Sequence, residues 1–304
     1  MTTSPARPVR AAEAVAPPEP VALLGCFEHR RRDLPWRRTR DPWAVLVSEL
    51  MLQQTQVARV VPRYEAFLAT WPTVEDCAAA TRAEVVTAWA GLGYNRRAVN
   101  LHRLAQDVVE RHGGRLPDDL ASLLALPGIG PYTARAVLAF AHERDGVGVL
   151  DTNVARLLAR RTGRRLGGAE AQGAADAAVP AGASWSWNQA RLDLGATVCT
   201  ARRPACDGCP VRSGCAWAAA GRPDPDPAVG SAGVAGRQSR FEGSDRQGRG
   251  RLVDALRSGP VGARDLAEVM GWPDDPARAR RVAATLVADG IATTDPTGAH
   301  HLAT

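Results

Sequence analysis

The chain contains no lysine; its 38 basic residues are all arginine. No side-chain amine is therefore present to form a Schiff base, and any chemistry that needs one is excluded, apart from an unusual use of the terminal amine. The accompanying wealth of Ala and Gly points to codon bias as the origin of this absence, but the chemical consequence holds whatever the cause. No apolar run approaches the ~18–20 residues that a membrane helix needs. The first twenty residues also lack the continuous apolar core of a secretory signal. Membrane and secreted readings are thereby disfavoured. Residues 1–20 read as a disordered tail, and the protein as cytoplasmic.

What is present is an ordinary globular composition. Of 304 residues, 45% are hydrophobic and 23% charged, and this length implies about two domains. The net charge of +6 suits a polyanionic partner. From Val21 to Trp217 apolar residues recur at helical spacing, as in Trp43, Leu46, Val47, Leu50 and Met51, and strand signals are sparse. Asp41 before Pro42, and Asp151 before a VARLLARR run, look like N-caps. The expected fold class is mainly α, with one domain over 21–220. Residues 221–240 are rich in Pro, Gly and Ser and read as a linker. The 64 residues after Arg240 read as three helices followed by a short hairpin around Pro296–Gly298. That is the order of a small winged-helix-like unit, over 241–304.

Four of the six cysteines, Cys199, Cys206, Cys209 and Cys215, lie together with the spacing C-x6-C-x2-C-x5-C. Four thiolates so close can wrap one metal centre. A reducing cytoplasm argues against disulfides. Zinc ribbons usually carry two C-x2-C knuckles where this run has one, so spacing favours an iron–sulfur cluster over zinc without closing the choice. Cys26 and Cys77 sit in apolar helical stretches and read as buried thiols.

The stretch LPGIGPYTARAVLAFA places Gly128 and Gly130 in a turn between two helices. Such a turn can present bare N–H groups to a phosphate, or it is simply a helical hairpin. Asp151 follows 21 residues after Gly130, where an aspartate is ordinarily just a cap. In WAVLVSELMLQQTQVARVV the one acid is Glu49. Among Leu46, Val47, Leu50 and Met51 its carboxyl would be desolvated, its pKa raised and its proton available to a general acid's task. The alternative is an ordinary surface glutamate. The QQTQ run after it, with Gln53, Gln54 and Thr55, fits a polar surface meeting bases better than a core.

Together SELMLQQTQV, WAGLGYNRRAVNLH, LPGIGPYTARAV, LDTNVARLLAR and LGATVCTARRPACDGCPVRSGC resemble the helix-hairpin-helix DNA glycosylases with an iron–sulfur cluster. Within them the chain is most similar to the MutY-type adenine DNA glycosylases, over about residues 21–217. The resemblance implies a two-lobed helix-hairpin-helix fold with a 4Fe–4S cluster held by Cys199, Cys206, Cys209 and Cys215. It implies double-stranded DNA carrying adenine:8-oxoguanine or adenine:guanine mispairs as partner, a base flipped from the stack, a monomer, and a nucleoid location. Glu49 resembles the acid that protonates adenine, and Asp151 the carboxylate that stabilises the oxocarbenium-like sugar, a division of labour shared with sugar hydrolases. Tyr132 and Asn153 resemble residues that position sugar, acids and water. Arg37 resembles an arginine near the flipped base, Gln54 and Tyr94 resemble groups that enter the base stack, and Gly128 and Gly130 carry the phosphate contacts.

The main competitor is an endonuclease III-like glycosylase and lyase acting on oxidised pyrimidines. In that branch the hairpin holds a Schiff-base lysine, where this chain has Tyr132. A non-catalytic lesion-binding module is the third reading. The chain departs from the family pattern at Thr152, where Gly is common, and at Asn95, where a second Tyr often follows GLGY. It also lacks room for a Nudix-like C-terminal domain, like the shorter actinobacterial members. The arginine pairs 96–97, 160–161, 164–165 and 202–203 are placed to meet phosphates, and Arg278, Arg280 and Arg281 either contact DNA or solubilise their helix.

Overall fold

The structure, a computed structural model, describes residues 19–232 and 240–304. Most of the expected tail, and residues 233–239 of the expected linker, lie outside the described residues. Among those described, the helices are α1 (Glu19–Arg30), α2 (Pro42–Leu52), α3 (Val57–Thr70), α4 (Val74–Ala79), α5 (Arg82–Ala88), α6 (Arg96–His112), α7 (Leu120–Ala125), α8 (Pro131–Phe140), α9 (Thr152–Thr162), α10 (Gly168–Ala177), α11 (Ser184–Thr197), α12 (Ala216–Ala219), α13 (Asp245–Ser258), α14 (Leu266–Met270) and α15 (Pro276–Ala288). Two short strands, β1 (Ala292–Thr294) and β2 (His300–Leu302), close the chain. They pair antiparallel with Thr293 opposite His301. None of these helices is long and apolar enough to cross a membrane.

The helices begin where the sequence offers caps. Asp41 accepts the backbone N–H groups of Trp43 and Ala44, and Pro42 takes the first helical position, where no N–H is needed. Thr73 and Thr81 each form a reciprocal capping box, with Asp76 and Glu84. Among the described residues the buried faces assemble two large cores and a smaller cluster around Val154, Leu158 and Leu166. Leu46, Leu50, Phe67, Trp89 and Leu104, from α2 to α6, anchor the first. Phe27, Leu157, Trp185, Trp187 and Leu194, from α1, α9 and α11, anchor the second. Helix α8 serves both, with Ala134 and Val137 in the first core and Ala136 and Phe140 in the second. The fold is therefore two-lobed, and α8 with α2 forms the seam between the lobes.

The C-terminal residues form three helices and a hairpin, with Val261 bridging to His300. This unit docks on the first lobe. The buried side of Arg257 donates to the carbonyl of Val86 and to the Asn95 side chain, each at 3.0 Å. Residues 222–232 behave differently from a free linker. Asp226 pairs with Arg160 at 2.6 Å and the N–H of Ala232 reaches the carbonyl of Leu166 at 2.9 Å.

Two of the expected phosphate-facing arginines are internal. Arg97 is 8% exposed and Arg160 2%. Arg97 donates to the carbonyls of Leu50, Met51, Gln53, Leu92 and Gly93 and to the Thr55 hydroxyl. A guanidinium carries five donors in a fixed fork, and here that fork satisfies the C-terminal end of α2 and the turn before α6 at once. Arg278 and Arg281 are engaged by Asp245. Cys77 is buried as expected, whereas Cys26 is only partly so.

Candidate active site

Glu49 lies on α2 at the seam, 5% exposed. Its Oε2 is buried with no hydrogen-bond partner, an arrangement that native interiors avoid unless the group has a task. Burial is the main force on its carboxyl and pushes the pKa up to about 7. The charge of Asp151 pushes the same way, while the Tyr132 hydroxyl and the charge of Arg37 pull against it. Tyr132, from the first turn of α8, is itself raised well above the ordinary phenol value, by burial first and then by the charges of Glu49 and Asp151. Glu49, Tyr132 and Asp151 thus meet at one place, although they come from three separate segments.

Asp151 is a true N-cap, and more than a cap. One carboxylate oxygen accepts from the backbone N–H groups of Asn153 and Val154 at 2.9 and 2.7 Å, and the other accepts from the Asn153 side-chain amide at 2.7 Å. Burial raises its pKa, with these donors and Arg156 working against the shift. Asn153 is fixed in turn, because its side-chain oxygen accepts from Arg156 at 2.8 Å. Arg156 also donates to the carbonyls of Gly195 and Cys199, at 2.6 and 2.7 Å. A Cβ on Gly195 would fall 2.6 Å from that of Asn153, so glycine is what lets α11 approach α9 here. A continuous chain of hydrogen bonds consequently runs from the Asp151 carboxylate to the backbone of the first cysteine in the cluster of four.

Arg37, in a 3₁₀ turn (Pro35–Arg37), is buried. It holds Asp193 of α11 with two parallel bonds of 2.8 and 3.0 Å, the bidentate geometry in which such pairs are strongest. Its fork is committed to Asp193, and it acts on Glu49 through its charge. Gln53 donates to the Thr133 hydroxyl at 3.2 Å, tying the end of α2 to the residue after Tyr132. Thr55 donates to the carbonyl of Leu92 at 3.2 Å, which joins the loop after α2 to the turn that bears Tyr94. Gln54 and Tyr94 are exposed.

In the hairpin between α7 and α8 the two glycines differ. Gly128 has φ +77°, and a Cβ there would meet Asn100 at 2.7 Å. Gly130 is extended at φ −101°, and a Cβ would meet nothing within 4 Å. Only Gly128 is conformationally required, contrary to the expectation for both.

None of the six cysteines is joined in a disulfide. Cys199, Cys206, Cys209 and Cys215 line a single pocket whose walls include Leu157, Val211 and Trp217. Among the described residues no three such side chains are gathered as they would be around a single metal ion. Four thiols lining one apolar cavity are the donor set that an iron–sulfur cluster takes. Arg160 donates to the Cys199 sulfur at 3.4 Å, and the Cys215 thiol donates to the Arg160 carbonyl at 3.4 Å.

Asp193 and Arg156, and the internal roles of Arg97 and Arg160, escape a reading of the sequence. Their partners are distant along the chain, and the only local sign is an ionic residue at an inward-facing helical position.

Residues 47–167 match the HhH-GPD superfamily of base excision DNA repair proteins, and residues 199–215 match the iron–sulfur binding domain of endonuclease III. The chain superposes on a thermostable thymine-DNA glycosylase with TM-score 0.60 and 30% identity, over 64% of this chain and 93% of that one. A trapped endonuclease III–DNA covalent intermediate, at TM-score 0.57 and 23% identity over 66% of this chain and 94% of that one, shares the fold. Fold and site thus define a helix-hairpin-helix DNA N-glycosylase with a 4Fe–4S cluster. The adenine DNA glycosylase of Mycolicibacterium smegmatis is 43% identical over 90% of this chain and 92% of its own length. That of Homo sapiens is 43% identical over 64% of this chain and 38% of its own length. The chain belongs to the adenine DNA glycosylase family.

Proposed function

We propose that this protein is a monofunctional adenine DNA glycosylase that removes adenine paired with 8-oxoguanine or guanine, leaving an abasic site in an intact strand. The observation that carries this reading is the Glu49 carboxyl, buried and incompletely partnered, with a pKa near 7 beside the capped carboxylate of Asp151.

The chemistry follows from those environments. A carboxyl that keeps its proton near neutrality is matched to general acid catalysis, so Glu49 protonates the flipped adenine and makes it a better leaving group. Cleavage of the glycosidic bond leaves positive charge on the sugar. Asp151, held in place by two backbone N–H groups and Asn153, supplies the opposing negative charge without reorganising. Water then completes the hydrolysis, and Tyr132 and Asn153 position it and the acids. Tyr132 has no amine with which to trap the sugar, so no strand cleavage follows. Arg37 keeps the pKa of Glu49 from rising further, Gln53, Gln54, Thr55 and Tyr94 face the DNA around the vacated position, and the hairpin at Gly128 and Gly130 meets a phosphate. The 4Fe–4S cluster, held by Cys199, Cys206, Cys209 and Cys215, cross-links the loop between α11 and α12; no step of base release passes through it. The protein acts as a monomer on cytoplasmic, nucleoid DNA.

A single-turnover assay on a duplex with one adenine opposite 8-oxoguanine tests this, each sample being split between alkali and no treatment. Strand cleavage only after alkali is the expected result. Cleavage without alkali contradicts the monofunctional assignment, and no cleavage in either half, with the cluster bound, contradicts catalysis.

A further inference from the structure

The loop that bears the four cysteines is held from outside as well as from within, and the outer hold comes from residues 222–232. This segment follows α12 and lies beyond both spans that match known families. It is docked at its start, middle and end. The carbonyl of Pro223 accepts from the Trp217 indole N–H at 2.9 Å. Asp226 pairs with Arg160. Further on, Arg165 donates to the carbonyl of Gly230 at 2.5 Å. The Ser231 hydroxyl accepts from the Leu166 N–H at 3.3 Å and donates to the carbonyl of Pro227 at 2.6 Å. Ala228 and Ser231 are each 5% exposed, so the segment is packed against the domain.

Asp226 makes the contact that bears on the cysteines. Arg160 comes from the last turn of α9 and is buried, and every N–H donor of its fork is engaged. Nη1 donates to the Cys199 sulfur at 3.4 Å and to the carbonyl of Thr200 at 2.7 Å. Nη2 donates to the carbonyl of Ala201 at 3.0 Å and to Asp226 at 2.6 Å, and Nε reaches Asp226 at 3.1 Å. One side of the guanidinium is thus turned to the start of the cysteine loop and the other to Asp226. A buried guanidinium needs a counter-charge, and among the described residues the carboxylate paired with Arg160 is that of Asp226. Groups that bond a ligating side chain fix its orientation and steady the metal centre, so a residue that fixes Arg160 acts on the cluster at one remove.

We propose that residues 222–232 are a strap that locks the cluster-bearing loop, with Asp226 as a positioning residue: it holds the Arg160 guanidinium on Cys199 and thereby sets how firmly the 4Fe–4S cluster is retained. This inference depends on the cysteine cluster and not on which base the enzyme releases.

The test follows the visible iron–sulfur absorbance of the full-length, cluster-loaded protein in excess iron chelator, with the far-UV circular dichroism of the helices recorded alongside. Asp226→Asn keeps the size of the side chain and removes its charge. It should lose its cluster about tenfold faster than wild type, the absorbance falling while the helical signal holds. Asp226→Glu, which restores the charge, should recover most of the wild-type cluster lifetime. Ser231→Ala, at the far end of the strap, should speed the loss roughly threefold through its missing hydrogen bonds. Wild-type cluster lifetimes in Asp226→Asn and Ser231→Ala overturn the proposal. So does loss of cluster and helical signal together in both variants, which marks a general loss of stability. If Asp226→Asn fails to fold, Ser231→Ala decides: faster cluster loss with intact helices supports the strap, and a wild-type lifetime overturns it.

Discussion

Two buried carboxylates close to the seam are driven in opposite directions. Glu49 is 5% exposed and Asp193 8%, so burial alone would raise both. For Asp193 the hydrogen bonds and charges of Arg37 and Arg32 outweigh burial and hold the pKa below the usual carboxylate range. Glu49 has a phenol and a second carboxylate as neighbours, and its pKa rises to about 7. Partners decide whether an acid in this interior stays ionised or keeps its proton. Arg37 stands between the two, spending its fork on Asp193 and only its residual field on Glu49.

The largest effects should come from removing the buried acid that keeps its proton, and its companion carboxylate. Glu49→Gln, nearly isosteric, should slow single-turnover adenine release by about 10²–10⁴-fold, with the duplex still bound. Asp151→Asn should cost roughly 10²–10³-fold in rate, again with binding largely retained; equal losses of binding and rate would make Asp151 no more than a cap. In contrast, Asp193→Asn should act on stability. It leaves the buried Arg37 without its counter-charge, a change that typically costs about 3–5 kcal/mol, to be read as a lowered Tm.

The same contrast fixes the pH dependence of stability. Folded Glu49 keeps its proton up to about pH 7, whereas the unfolded chain releases it near the ordinary glutamate value. Its contribution is therefore full at low pH and is lost as pH rises through that window, about 3 kcal/mol in all. Glu49→Gln should thus be more stable than wild type at pH 8 and indistinguishable from it near pH 4.5. Asp193 has the opposite sign: its contribution is present above the ordinary aspartate value and disappears as pH falls below it. Tm measured against pH for both variants would expose the two slopes.

A smaller effect separates the hairpin glycines. Gly128→Ala meets Asn100 and a left-handed backbone, and should cost about 1 kcal/mol or more; Gly130→Ala, extended and uncrowded, should stay within about 0.5 kcal/mol. Equal penalties would contradict the geometry of the turn.

The helical class, the Asp41 and Asp151 caps, the hairpin and the cysteine run were legible because each is a local pattern. A cap needs a side chain two or three residues from an N–H, and the cysteine spacing lies within one loop. Glu49 stood out as one acid in an apolar helical run. Asp193 did not, although it is equally buried, because what distinguishes it is Arg37, far away in sequence. Arg97 and Arg160 were expected at the surface for a similar reason. Arginine pairs on a helix carry no sign of which member turns inward, and here the inward one bonds the carbonyls of distant turns. The docking of Arg257 on Val86, and that of Asp226 on Arg160, likewise depend on how separated segments meet.

In the proposed mechanism Glu49, buried and without a bonded counter-ion, holds the proton that releases adenine. The pH profile of single-turnover base release tests it most directly, with bound duplex at saturation. The rate should be flat below about pH 7 and fall about tenfold per unit above it, and this limb should vanish in Glu49→Gln. A wild-type profile that stays flat to pH 9, or a limb that survives the substitution, would rule out Glu49 as the proton donor.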